Sequence, residues 1–143
     1  MRKGASRKTT RSSARSATRA EGAKKRSTRG VGLAGLRSLA LALPETQEGT
    51  SYGTPAFRVK GKLFARLLDD GESLAVKVDL EEREFVLQAD PQTFYLTDHY
   101  RDYPMMLVRL PRIHVDDLRA VLEQAWRIAA PKRLAATLEA RSS

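Results

Sequence analysis

The stretch Ala56-Phe57-Arg58-Val59-Lys60-Gly61-Lys62-Leu63-Phe64-Ala65-Arg66-Leu67-Leu68-Asp69-Asp70-Gly71-Glu72-Ser73-Leu74-Ala75-Val76-Lys77-Val78 decides the fold. Apolar residues recur at every second position, and the two interruptions, Lys60-Gly61-Lys62 and Asp69-Asp70-Gly71-Glu72, are built of turn formers. This is the pattern of a three-stranded antiparallel meander. Its register hangs on the first turn. A three-residue turn with Gly61 left-handed sets Phe57, Val59, Leu63, Ala65 and Leu67 on one face. A two-residue turn would mix Lys62 and Arg66 with Phe57 and Val59. The first register is expected, because it keeps charge out of the core. It leaves Arg58, Phe64, Arg66, Ala75 and Lys77 on the outer face.

Upstream, Leu33, Leu36, Ala40 and Leu43 fall at helical spacing, and Pro44 stops the run. Glu45–Thr54, rich in Gly, Thr and Glu, reads as a loop with a short strand. Downstream, Asp79–Ala89 reads as a short charged helix whose buried residue is Phe85. Phe94–Leu96 and Met105–Leu110 read as two more strands, joined by the polar, aromatic loop Thr97–Pro104. Leu118, Val121, Leu122, Ala125, Trp126 and Ala129 form one apolar helical stripe, with Asp116 and Asp117 in its first turn. A further helical stretch restarts at Pro131, with Leu134 and Leu138 one turn apart. The order helix, three strands, helix, two strands, helix describes an α+β domain over residues 31–143: two layers, an antiparallel sheet covered on one side.

The chain has 143 residues, 26 Lys+Arg against 17 Asp+Glu, a net charge of +9 and no Cys. It is too short for a barrel of about 250 residues. It can hold no disulfide and no Cys-ligated metal. No apolar run approaches the ~20 residues of a membrane-spanning helix, and no apolar segment follows the basic N-terminus as a secretory signal requires. A cytoplasmic protein is expected.

The charge is unevenly placed. Arg2, Lys3, Arg7, Lys8, Arg11, Arg15, Arg19, Lys24, Lys25, Arg26 and Arg29 face one acid, Glu21, so this leader carries +10. The remaining residues hold 15 basic and 16 acidic side chains, a net −1. After Met1, residues 1–30 are otherwise Ser, Thr, Ala and Gly, too poor in apolar surface to offset ordering entropy, and a disordered basic tail is expected. Cations every two to four residues on such a chain suit a phosphate polymer, bound without sequence preference and with strong salt dependence. An anionic membrane is disfavoured, since no large apolar residue stands beside the charges. A transit peptide or a solubilising extension shares this composition.

Three constellations in the domain could carry chemistry. Gly49-Thr50-Ser51-Tyr52-Gly53 has the spacing of a nucleophile elbow, with Asp98 and His99 or His114 following, but an elbow needs a strand-to-helix turn and this segment runs through Pro55 into a strand. His99, Tyr100, Arg101 and Tyr103 gather in one loop that could touch a ligand or base. With only two His, fifteen positions apart, no metal site is expected. Arg58, Arg66 and Lys77 around Phe64 would make an outer-face platform on which a base stacks and phosphates pair.

Thr50-Ser51-Tyr52-Gly53-Thr54-Pro55-Ala56-Phe57-Arg58-Val59 with Gly61-Lys62-Leu63-Phe64-Ala65 resembles the MmcQ/YjbR family of small bacterial proteins. His99-Tyr100-Arg101 with Tyr103-Pro104, and Ala130-Pro131-Lys132-Arg133-Leu134, agree with it in order. The resemblance runs from about Leu33 to Leu138 and leaves out the leader. It implies a compact α+β fold similar to secretion chaperones and DNA binding through wing-like hairpins, with no catalytic motif to carry over; the domain is large enough for a core of its own, and no cofactor is expected. The positions here nearest to a wing are Lys60, Gly61 and Lys62.

The function expected is therefore non-enzymatic DNA binding, with RNA the nearest other polyanion. Arg7, Lys8, Arg11, Arg15, Arg19, Lys24, Lys25, Arg26 and Arg29 would supply most of the affinity, and Arg58, Lys60, Lys62, Arg66 and Lys77 weaker contacts. The alternative is a protein- or peptide-binding module of chaperone-like fold, its contact lined by the Thr97–Pro104 loop with Met105 and Met106, and its leader a nucleoid-localising or solubilising extension.

Overall fold

The computed structural model describes residues 29–142. The leader expected to be disordered, residues 1–30, lies outside the described residues except at its last two positions, Arg29 and Gly30, which are fixed to the domain. Arg29 Nη1 donates to the Arg112 carbonyl at 2.7 Å, and the Gly30 and Val31 amides donate to Ile113 and Leu110. Gly30 sits at φ +100, and a Cβ there would lie 3.3 Å from the Pro111 carbonyl oxygen, so a side chain would be both strained and crowded.

The order is α1 (Leu33–Leu41), β1 (Thr46–Ser51), β2 (Thr54–Val59), β3 (Lys62–Leu67), β4 (Ser73–Lys77), α2 (Leu80–Ala89), β5 (Phe94–Tyr95), β6 (Met105–Arg109), α3 (Val115–Ala129) and α4 (Lys132–Ser142), with short 3₁₀ turns at Asp98–Tyr100 and Leu110–Arg112. The six strands form one antiparallel sheet in the order β1-β2-β3-β4-β6-β5. The α+β class holds, and the short strand expected within Glu45–Thr54 is a full edge strand, β1. Its polar sequence hid it, because an edge strand with one bare side needs little apolar surface.

The inner face packs Phe57, Val59, Phe64, Ala65, Leu67, Leu74, Val76, Met106 and Val108 against Leu118, Leu122, Ala125, Trp126 and Ala129 of α3 and Leu36 and Ala40 of α1. Trp126 is fully buried and its indole N–H donates to the Pro44 carbonyl at 2.9 Å, tying the α1–β1 link to α3.

The meander departs from the expected register. Val59 pairs with Lys62, so the β2–β3 turn has two residues, Lys60 and Gly61, at φ 51 and 80. Two successive positive φ values make a type I′ turn, whose twist suits a hairpin. Arg58 then pairs with Leu63 but Phe57 with Ala65, which leaves Phe64 as an extra residue in β3. This bulge resolves the conflict seen in the sequence. Lys62 stands exposed at the strand's start, and the added residue turns Arg66 outward before it can enter the core. It also exchanges two side chains. Phe64, expected outside, is fully buried, while Leu63, expected inside, is half-buried on the outer face. Burying the larger side chain removes more apolar area from water.

Phe85, the expected buried residue of α2, is 78% exposed; Val86 and Leu87 pack on the core, and the buried residue is Arg83. The Lys60 turn yields a direct test. Asn tolerates the left-handed region better than Lys, and the exposed Lys60–Glu45 pair at 3.4 Å contributes little. Lys60→Asn is expected to raise stability by roughly 0.5 kcal/mol, read by thermal unfolding.

Candidate functional site

The outer sheet face is divided in two. Over β4 and β6, Ala75, Met105 and Leu107 are buried beneath Leu68, Tyr95 and Tyr100. Between this cover and the β1–β2 turn runs a cleft of about 900 Å³ lined by Ser51, Tyr52, Leu63, Arg66, Leu68, Asp69, Asp70, Ala75, His99, Tyr100, Tyr103 and Met105. The β1–β2 turn forms one wall and the loop between β5 and β6 the other.

Tyr52 owes its position to the turn that carries it. Ser51 pairs with Thr54, leaving Tyr52 and Gly53 as a second two-residue turn at φ 54 and 82. A left-handed backbone is costly for a bulky side chain. The ring is 90% exposed and packs on no core residue. The Arg66 guanidinium lies 5.1 Å from its centroid.

Arg66 links the walls. Its Nε donates to the Ser51 carbonyl at 3.2 Å, and Nη1 donates to the Tyr100 hydroxyl at 3.1 Å. No carboxylate among the described residues pairs with it. Opposite Tyr52, the His99 ring meets Tyr100 edge-on at 4.7 Å and Tyr103 at 6.1 Å, and Tyr103 is 55% exposed.

The aromatic loop is held from beneath. Arg83, only 8% exposed, sends Nη1 to the carbonyls of Tyr103 (2.8 Å) and Met105 (3.1 Å), with Tyr100 at 3.5 Å, and Nη2 to that of Arg101 (3.0 Å). Its Nε is buried without a partner. A guanidinium keeps its charge and offers five N–H groups, so one side chain can gather several loop carbonyls.

Asp70, though it lines the cleft, is committed to its own turn. One carboxylate oxygen accepts the amides of Glu72 (2.8 Å) and Ser73 (2.9 Å), and the other accepts the Ser73 hydroxyl (2.9 Å). That hydroxyl, its proton used, accepts in turn from Tyr95 at 2.6 Å. The Glu72 amide first, then the Ser73 groups, hold the Asp70 carboxyl below its usual range, outweighing desolvation. A lowered native value means stability that is full above the ordinary carboxylate range and lost as pH falls through that lowered value. Asp70→Asn is therefore expected to be less stable near neutrality by at most about 1 kcal/mol, the gap closing in acid, read by denaturant midpoints across pH.

The candidate residues thus separate. Arg66, His99, Tyr100 and Tyr103 converge on the cleft. Arg101 turns to Asp98 at 2.9 Å. Lys60 and Lys62 stand at the far end of β2 from Tyr52, and Lys77 lines a separate groove between α2 and α3. Arg58 Nη1 lies 3.4 Å from the Thr50 carbonyl. Phe64, buried in the core, cannot serve as the stacking aromatic, so the platform around it does not form. Met106 is likewise in the core, and Met105 is 9% exposed at the cleft. Ser51 ends a strand that turns directly into another strand, which is not a nucleophile elbow. The leader residues from Arg7 to Arg26 lie outside the described residues. Tyr52 is the site residue the sequence reading missed. Its signal was Tyr-Gly between two extended segments, a hairpin turn that must present its first side chain to solvent.

A model of the YjbR family matches residues 41–128. Uncharacterized proteins of Mycobacterium bovis and Mycobacterium tuberculosis are 40% identical over 73 residues, which is 50% of this chain and 57% of theirs. The chain thus matches little more than half the length of these curated relatives. The crystal structure of a Deinococcus radiodurans protein, a DUF419 domain, is similar with a TM-score of 0.59 at 25% identity, over 68% of this chain and 77% of that one.

Proposed function

The chain belongs to the YjbR family, and from that footing we propose that it is a non-enzymatic DNA-binding protein, working in the cytoplasm, whose affinity resides in sequence-independent phosphate contacts of its basic leader. The observation that carries this reading is the division of charge, +10 on the first 29 residues against −1 on the rest. The engagement of the domain's own cations supports it. Arg37 pairs with Glu48, Lys60 with Glu45, Arg101 with Asp98 and Arg119 with Asp116. Arg109 lies over the Tyr95 ring, and Arg83 is spent on carbonyls. A domain so balanced adds weak contacts at most, through Lys60, Lys62 and Lys77. The test is the salt dependence of duplex binding by the full chain. This reading requires a steep log–log slope, and a flat one overturns it.

A protein-binding role is the second reading. It is favoured by the exposed ring of Phe85 on α2, a helix that also walls the apolar groove against α3. A stoichiometric partner that survives nuclease treatment and is lost in Phe85→Glu would distinguish it.

A further inference from the structure

We propose that the cleft between the Tyr52 turn and the Asp98–Tyr103 loop binds one unstacked nucleotide, its base against the aromatic walls and its phosphate on Arg66. Arg66 is half-buried, and two of its N–H groups are bound to Ser51 and Tyr100. Three remain, on a guanidinium that no carboxylate among the described residues neutralises. A partly desolvated cation with open donors is matched best by an anion with several acceptor oxygens. The acids at the rim do not compete for it. Asp70 faces its own turn, and Asp69 is exposed beside it.

The walls specify the rest of the ligand. Tyr52 offers a ring face to solvent from a turn whose positive φ holds it out from the sheet. Tyr103 and His99 offer two more across the cleft. Aromatic faces with a neighbouring cation accept any base and read none. The volume, about 900 Å³, admits a nucleotide. A paired and stacked base cannot turn its face to these rings, so the ligand is single-stranded or free. The inference rests on the nucleic-acid reading above for how a polymer is brought near, and not for the chemistry of the cleft.

The experiment measures binding of the full chain to a short oligothymidylate at about 0.5 M salt, where phosphate contacts of the leader are largely screened. Wild type is compared with Tyr52→Phe, Tyr52→Ala, Arg66→Gln and Arg66→Lys, each checked for an unchanged melting temperature. Tyr52→Ala and Arg66→Gln are expected to weaken binding about tenfold, Tyr52→Phe to retain it, and Arg66→Lys to recover part of it. Binding of a duplex of equal length, measured at low salt, should be unaltered by all four. Thymidine 5′-monophosphate then separates the sources. Competition assigns the site to free nucleotides, and its absence with the Tyr52 dependence intact assigns it to the polymer. Equal affinity of wild type and Tyr52→Ala for the strand, or a parallel loss on strand and duplex, overturns the proposal. Failure of the leader reading appears elsewhere, as a flat salt dependence of the duplex.

Discussion

Replacing Arg7, Lys8, Arg11, Arg15, Arg19, Lys24, Lys25 and Arg26 together by Gln is expected to lower duplex affinity by about a thousandfold at 50 mM salt. Eight neutralised phosphates would release enough counterions for a log–log slope of about −7, and removal of the eight cations, with Arg2 and Lys3 left, should flatten that slope to about −2 or less. Arg29 is left in place, because its guanidinium is bound to the Arg112 carbonyl and its loss would disturb the domain. The matched control replaces Lys60, Lys62 and Lys77 by Gln. These stand at the far hairpin turn and in the groove beside α2, so they share no surface on which one phosphate run could lie. Their loss should change affinity by less than about fivefold. Fluorescence anisotropy of a labelled duplex over a salt series measures both. The opposite ranking, with the domain triple variant the weaker, would move the DNA site from the leader to the hairpins. Equal binding by all three proteins would leave the leader as a solubilising extension.

The sequence made the layer architecture legible because strand and helix periods are properties of consecutive residues. Leu74-Ala75-Val76 between turn formers could only be a strand, and the Leu118 to Ala129 stripe only a helix. What escaped were features set by a single residue's neighbours in space. Leu63, Ala65 and Leu67 alternate perfectly, yet Leu63 faces outward, because one extra residue opposite the Phe57–Arg58 link buries Phe64 instead. An alternation pattern carries no mark of a bulge unless glycine is present. The site was half legible for a similar reason. His99, Tyr100 and Tyr103 announce themselves as a cluster, whereas Tyr52 and Arg66 reach them only through the β1–β2–β3 pairing.

Arg83 is the sharpest case of this, and its removal is expected to have the largest effect on the fold. In the sequence Asp79–Ala89 is a charged helix with one aromatic, so Phe85 looks like the side chain to bury. The fold buries Arg83 because the loop from Asp98 to Met105 presents a group of inward carbonyls with too few donors of its own. Among them, the Tyr100 and Tyr103 carbonyls accept turn amides, and the Arg101 carbonyl has, among the described residues, the guanidinium alone. Arg83→Met keeps length and apolar bulk but removes every one of those donors. Hydrogen bonds to a charged donor are worth more than neutral ones, and water entering the loosened loop offsets part of the loss, so a destabilisation of about 3 kcal/mol is expected. Phe85→Ala, at the exposed position two residues on, should change stability by less than about 0.5 kcal/mol. Denaturant unfolding gives both values, and amide exchange should show faster opening between Thr97 and Pro104 in Arg83→Met than in the core strands. Because the Tyr100 hydroxyl accepts from Arg66, the loosened loop should also weaken oligothymidylate binding, whereas an Arg83 that merely filled space would let the Met variant bind as wild type. Reversed stabilities, with Phe85→Ala the costlier change, would mean that α2 is rotated from the position described and that the carbonyl cage is not what holds the cleft's wall.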